Sequence, residues 1–262
     1  MKTPLGIEKK RRRIRLAAML VLALLVAAMP ALAEASMNDP AGAPELPVAD
    51  HKDVRIACVG DSITYGVIPN TPDLQSDMPY PAVLSALMGD GFEIQNFGFP
   101  GATMTEKGMC YRDLEAYPRS LAAAADLYVI MLGTNDANRY LEWDAALYEG
   151  DLSDLVDAYR AASPGAVIYL MSPPAVFPNT ETGDMLMKAE LLGGELRQIV
   201  ARVAAAKAAG YIDMFAMTEN HPEWFVGDGF HPVDEGYRQM GRIVCEAILP
   251  DAETLGGQTA AR

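Results

Sequence analysis

Five short apolar runs, Val54 to Val59, Phe92 to Phe97, Asp126 to Leu132, Ala166 to Met171 and Tyr211 to Phe215, alternate with segments of helical apolar spacing. Several are apolar nearly throughout, as strands buried on both faces are. Between the last two, Leu192, Leu196, Ile199 and Val203 recur at spacings of four, three and four. That spacing predicts a helix from about Asp184 to Ala209, with Asp184 capping its start and Gly210 its end. Another begins near Asp234 and puts Tyr237, Met240, Val244 and Ile248 on one face. Strands separated by helices need crossover connections, so the chain reads as an α/β protein, a three-layer α/β/α sandwich around a five-stranded parallel sheet.

The sandwich is expected to occupy residues 51–250. Upstream, a basic cluster precedes the uncharged stretch Leu16 to Ala33, which closes on Pro30 and Ala31-Leu32-Ala33, a small-x-small cleavage pattern. Residues 1–33 thus read as a secretory signal peptide, and the product as secreted or extracytoplasmic. The alternative is an uncleaved N-terminal anchor, since 18 uncharged residues approach the length of a membrane span. Residues 34–50, rich in Pro and Ala without an apolar period, read as a flexible linker, and residues 251–262 as a disordered tail. Residues 1–33 hold seven of the 21 basic groups and one of the 35 acids, leaving the remainder at a net charge of −20. Such a balance repels nucleic acid and anionic membrane surfaces, so neither is expected as a partner.

Cys58, Cys110 and Cys245 form an odd set with no CxxC spacing, which is neither a disulfide framework nor a zinc site. Cys58 and Cys245 read as small buried hydrophobes, while a bridge involving Cys110 stays open.

In a parallel α/β sheet ligands bind beyond the carboxyl ends of the strands, so the loops after the apolar runs are where chemistry is sought. The first run leads into Gly60-Asp61-Ser62-Ile63-Thr64. Ser62 is a nucleophile there if a base reaches it; the alternative is that Asp61 or Ser62 only caps the next helix. The second leads into Asn96-Phe97-Gly98-Phe99-Pro100-Gly101, where glycines permit a tight turn whose backbone N–H can serve an oxyanion. The third ends in Gly133-Thr134-Asn135-Asp136, in which Asn135 either aims its amide at developing negative charge or forms a local Asx turn. Of the three histidines, His51 sits at the linker edge, His221 in a loop, and His231 three residues after Asp228. One turn can hold the Asp228 carboxylate against one ring nitrogen of His231 and leave the other for Ser62. A metal reading of His221, Asp228 and His231 lacks the HExxH spacing.

The blocks GDSIT, NFGFPG, GTND and DGFHP, in this order and each after an apolar run, resemble the GDSL esterases of the SGNH hydrolase superfamily, over Val54 to Leu249. The resemblance implies the flavodoxin-like SGNH hydrolase fold, Ser62 as nucleophile, His231 as base and Asp228 as its orienting acid. It also implies an oxyanion hole from the N–H groups of Ser62 and Gly101 and the side-chain amide of Asn135, and no cofactor or metal. Gly101 is preferred to Gly98 because the family's glycine usually lies five residues beyond the Asn of that block, here Asn96. The longer blocks GDSITYG, NFGFPGAT and MLGTND, with Trp143 and Ser172-Pro173-Pro174, look most like bacterial carbohydrate or sialate O-acetylesterases. The expected partner is therefore a small-molecule or glycan ester. The alternatives are a lysophospholipase, arylesterase or thioesterase on the same triad, or an acyltransferase acting on a cell-surface glycan.

Overall fold

A computed structural model describes residues 53–68 and 71–259. Residues 1–33 and 34–50, read above as signal peptide and linker, and His51 lie outside the described residues. Five parallel strands, β1 (Val54–Gly60), β2 (Phe92–Gly98), β3 (Leu127–Met131), β4 (Val167–Met171) and β5 (Gly210–Ile212), pair in the order β2-β1-β3-β4-β5. The order reverses at β1, and the crevice between the carboxyl ends of β1 and β3 is the ligand position of such a doubly wound sheet.

The strands are interleaved with α1 (Ser62–Tyr65), α2 (Tyr80–Met88), α3 (Ala116–Ala122), α4 (Ala145–Ala162), α5 (Ala189–Leu191), α6 (Arg197–Ala206), α7 (Met214–Thr218) and α8 (Asp234–Thr259). Strand periodicity sorts the core into two layers. Ala57, Val59, Tyr128 and Ile130 face α4 and α6, where Leu155, Val156, Tyr159, Ile199 and Val203 meet them. Ile56, Cys58, Val129 and Met131 face α2 and α8, against Tyr80, Leu84, Tyr237, Met240, Val244 and Ile248. Burying each Leu, Ile, Val or Met of these faces contributes about 1.5–3 kcal/mol. The three cysteines are unpaired thiols.

Four boundaries differ from the sequence reading. The helix expected from Asp184 begins instead at α5, because residues before it are held in a loop whose Lys188 N donates to Ala137 O at 2.8 Å. α5 then passes through a π turn, Leu192–Leu196, into α6. There Gly194 leaves helical geometry, and a Cβ on Gly193 would lie 2.5 Å from the Phe215 ring, so the bend follows close packing on that ring. Gly210 is no cap. It opens β5, where a Cβ would stand 2.3 Å from Tyr169, and the helix ends through Ala208 at φ +47°. β5 stops at Ile212 because Asp213 accepts from Ala216 N and starts α7.

The expected tail is helical through residue 259, as the continuation of α8. Ala252 extends the apolar face of Val244 and Ile248 and is fully buried. The Tyr169 hydroxyl, 3.1 Å from Ala247 O and 2.8 Å from Asp251 Oδ2, ties the segment to β4 across Pro250. Among the described residues no helix is long and apolar enough to cross a membrane.

Candidate active site

Ser62 stands at the first position of α1, directly beyond β1. Gly60 makes this turn possible: a Cβ there would lie 2.1 Å from Thr64 Oγ1 and 2.7 Å from Met131 O. Asp61 Oδ1 accepts from Ile63 N at 2.9 Å and caps α1. Asp61 is therefore the cap of α1, and the Ser62 hydroxyl is left to face His231.

Ser62 Oγ lies 3.0 Å from His231 Nε2, and His231 Nδ1 lies 2.7 Å from Asp228 Oδ2. Asp228 Oδ1 accepts from the backbone N–H of Phe230 and of His231, each at 3.0 Å. The turn Asp228 to His231 thus presents its own carboxylate to its own ring. Partial burial opposes the Asp228 charge, but the bonds from the His231 ring and the two N–H groups outweigh it and hold the carboxyl below its ordinary range. An ionised Asp228 fixes the tautomer with Nδ1 as donor, which leaves Nε2 to accept from the Ser62 hydroxyl. His221 takes no part: its Nδ1 is 2.9 Å from Glu223, and its ring stacks on Trp224 at 3.8 Å.

Beyond β2, Ala102 N donates to Phe99 O at 3.1 Å, closing a turn with Pro100 and then Gly101 at φ +80°. Proline followed by a residue of positive φ is the composition of a type II turn, and the positive φ calls for glycine. Gly98 N is engaged by Asn96 Oδ1 at 2.9 Å, so of the two glycines Gly98 is not a free donor. Asn96 Nδ2 in turn donates to Thr64 O at 2.8 Å and binds the end of β2 to α1.

Asn135 and Asp136 make long-range bonds. Asn135 Nδ2 donates to Ala102 O at 2.9 Å, so its amide reaches across to the Gly101 turn. Asp136, 3% exposed, accepts from Met104 N at 2.8 Å, Thr105 N at 3.0 Å and Thr105 Oγ1 at 2.9 Å. Desolvation raises its pKa, and those three bonds partly offset the rise. This carboxylate, which the sequence offered only as part of a block, ties the segment after Gly101 to the segment carrying Asn135. Asp61 is also fully buried, and desolvation pushes its pKa up to about 6 despite the Ile63 N–H. Among the described residues no group of three or more His, Cys, Asp or Glu side chains is arranged to hold a metal ion.

Ser62, His231 and Asp228 form one hydrogen-bonded chain, and the segments of Gly101 and Asn135 are tied to each other beside it. The sequence pattern of the GDSL-like lipase/acylhydrolase family matches residues 58–239, which include all five of these positions. The chain belongs to this family. It is 31% identical over 224 residues to an acetylxylan esterase from Xylanibacter ruminicola, an alignment that spans 78% of this chain and 45% of that protein, so it covers less than half of its relative's length. Among solved structures, a carbohydrate acetylesterase from Sinorhizobium meliloti superposes with a TM-score of 0.60 at 22% identity, over 76% of this chain and 99% of the other. An aryl esterase from M. smegmatis does so with a TM-score of 0.61 at 23% identity, over 75% and 99%. At these identities both likenesses speak for the fold, the GDSL hydrolase α/β sandwich.

Proposed function

We propose that the protein is an exported serine esterase that removes a short acyl group, acetyl in the first instance, from a carbohydrate. The observation that carries this reading is the hydrogen-bonded chain from Asp228 through His231 to Ser62 Oγ. Ser62 Oγ attacks the ester carbonyl as His231 Nε2 takes its proton. Asp228 stabilises the imidazolium, and His231 returns the proton to the leaving alcohol. Water, deprotonated by His231, then attacks the acyl-Ser62 carbonyl; the bond to Ser62 Oγ breaks, His231 returns the proton to Oγ, and the acid is released. Negative charge on the carbonyl oxygen is met by the N–H groups of Ser62 and Gly101 and by Asn135. One amide hydrogen of Asn135 is bound to Ala102 O, which sets the plane of the group and points its second hydrogen elsewhere.

The likeness to an acetylxylan esterase supports an acetylated sugar, and the leader-like N-terminus supports export. The cleft beside His231 mixes carboxylates with apolar side chains, which suits a sugar better than a long acyl chain. Turnover of p-nitrophenyl acetate and p-nitrophenyl octanoate by the purified protein, against Ser62→Ala, tests the reading. Acetate-selective hydrolysis that disappears in the variant is expected. Octanoate preference would transfer the assignment to lipid or thioester substrates, and activity that survives Ser62→Ala would remove the serine mechanism.

A further inference from the structure

The segments that carry Ser62 and His231 continue into the walls of a cleft of about 610 Å³. Val67, Ile68 and Met78, which follow α1, line one side, and Val226, Pro232 and Tyr237, around the Asp228 to His231 turn, line the other. Both walls are fastened to the site, since Gly66 N donates to Ser62 O at 2.9 Å and Val226 N to His231 O at 2.8 Å.

The lining combines two kinds of chemistry. Ile68 and Met78, 39% and 37% exposed, give the cleft an apolar surface suited to the C–H face of a ring. Asp77, Asp234 and Glu235 bring carboxylates, which accept from hydroxyls. Glu235 is paired with Arg238 at 2.6 Å, so Asp77 and Asp234 are the charges of the lining that no cation within it cancels. Tyr237, 1% exposed, packs into the core beneath this wall and offers the cleft no accessible hydroxyl.

We propose that this cleft holds a neutral pyranose ring of the esterified sugar and discriminates against sugar acids. A ring bearing hydroxyls alone uses the apolar wall and the carboxylate acceptors together. A uronate or sialate brings its own carboxylate beside Asp77 and Asp234 and is repelled. The inference rests on the acetylesterase reading and specifies its sugar.

The test compares kcat/KM on acetylated xylo-oligosaccharides with that on acetylated oligogalacturonate, using p-nitrophenyl acetate to establish that the protein is an active esterase. The neutral ester is expected to be preferred by about tenfold or more, mainly through KM, with the preference shrinking as salt screens the exposed carboxylates. Asp77→Asn combined with Asp234→Asn should reduce the preference several-fold. Equal rates on the two sugar esters, unmoved by salt or by these variants, would overturn the inference and leave the acetylesterase reading standing. Hydrolysis of p-nitrophenyl acetate with no hydrolysis of either sugar ester would overturn that reading, and the inference with it.

Discussion

Replacing Asp136 by Asn probes how the two halves of the proposed oxyanion site are held together. The side chain is buried, and its two oxygens accept three hydrogen bonds, from Met104 N, Thr105 N and Thr105 Oγ1. An asparagine can keep its oxygen toward Thr105, but its NH₂ group then confronts the Met104 N–H. One charge-assisted bond is lost, about 1.5–3 kcal/mol, and a buried donor is left unpaired at about 1–3 kcal/mol more. Relief of the desolvation that raises the Asp136 pKa returns part of this, so a net loss of about 2–4 kcal/mol is expected. In a domain of this size that is a fall in melting temperature of roughly 5–15 °C. Met104 lies two residues beyond Ala102, whose carbonyl orients Asn135, so the slackened segment also loosens the donors. A displacement near 1 Å at a catalytic group reduces turnover by up to about 10²-fold. Calorimetric melting with steady-state kinetics on p-nitrophenyl acetate, below the variant's transition, should therefore show kcat down about 10- to 100-fold and KM little changed. A variant with wild-type melting temperature and wild-type kcat would refute the strut.

Three further outcomes follow from the packing and the buried charges. Asp61 holds its proton up to a pH of about 6 in the folded chain, against an ordinary value of 3.8, so this group favours folding more at pH 4 than at pH 7, by up to about 3 kcal/mol. Asp61→Asn keeps the oxygen that caps Ile63 and removes the titration, so the stability difference between wild type and variant should change across pH 4 to 6; urea melts showing a constant difference would sink this. Gly98→Ala places a Cβ 2.1 Å from Tyr65 N, backbone that cannot give way cheaply, and is expected to destabilise by about 1–3 kcal/mol or more and to displace Ser62 through α1. Gly150→Ala, in the interior of α4 with nothing within 4 Å of its new Cβ, should instead stabilise by about 0.4–1 kcal/mol, and thermal melts that rank the two glycine variants the other way would contradict the packing.

How much was legible in advance depended on the range of the interaction. The five strands were visible as short runs rich in apolar residues, and α8 because Tyr237, Met240, Val244 and Ile248 repeat at helical spacing. The turn from Asp228 to His231 is local, and its internal bond was readable from a three-residue interval. Its meeting with Ser62 across 169 residues was expected only from the order of the four blocks, and the structure brings the two to 3.0 Å. Asn135 read as either an oxyanion donor or an Asx turn, but its bond to Ala102 and those of Asp136 to Met104 and Thr105 were not legible, because these partners lie about thirty residues upstream with no signal of their own. The bend at Gly193 and Gly194 and the role of Gly210 depend on where the Phe215 and Tyr169 rings fall, which no local pattern encodes. Residues 251–259 read as a tail because Pro250, Gly256 and Gly257 are poor helix formers, yet the burial of Ala252 and the Tyr169 anchor override propensity.

The central claim is that Ser62, activated by His231 and Asp228, is the nucleophile. Intact-protein and peptide mass spectrometry after brief exposure to a fluorophosphonate tests it most directly, because such a reagent labels a serine whose hydroxyl is deprotonated by a neighbouring base. A single adduct is expected on the peptide containing Ser62, absent in Ser62→Ala and formed far more slowly in His231→Ala. Labelling at another residue, or equal labelling of Ser62 with and without His231, would contradict it.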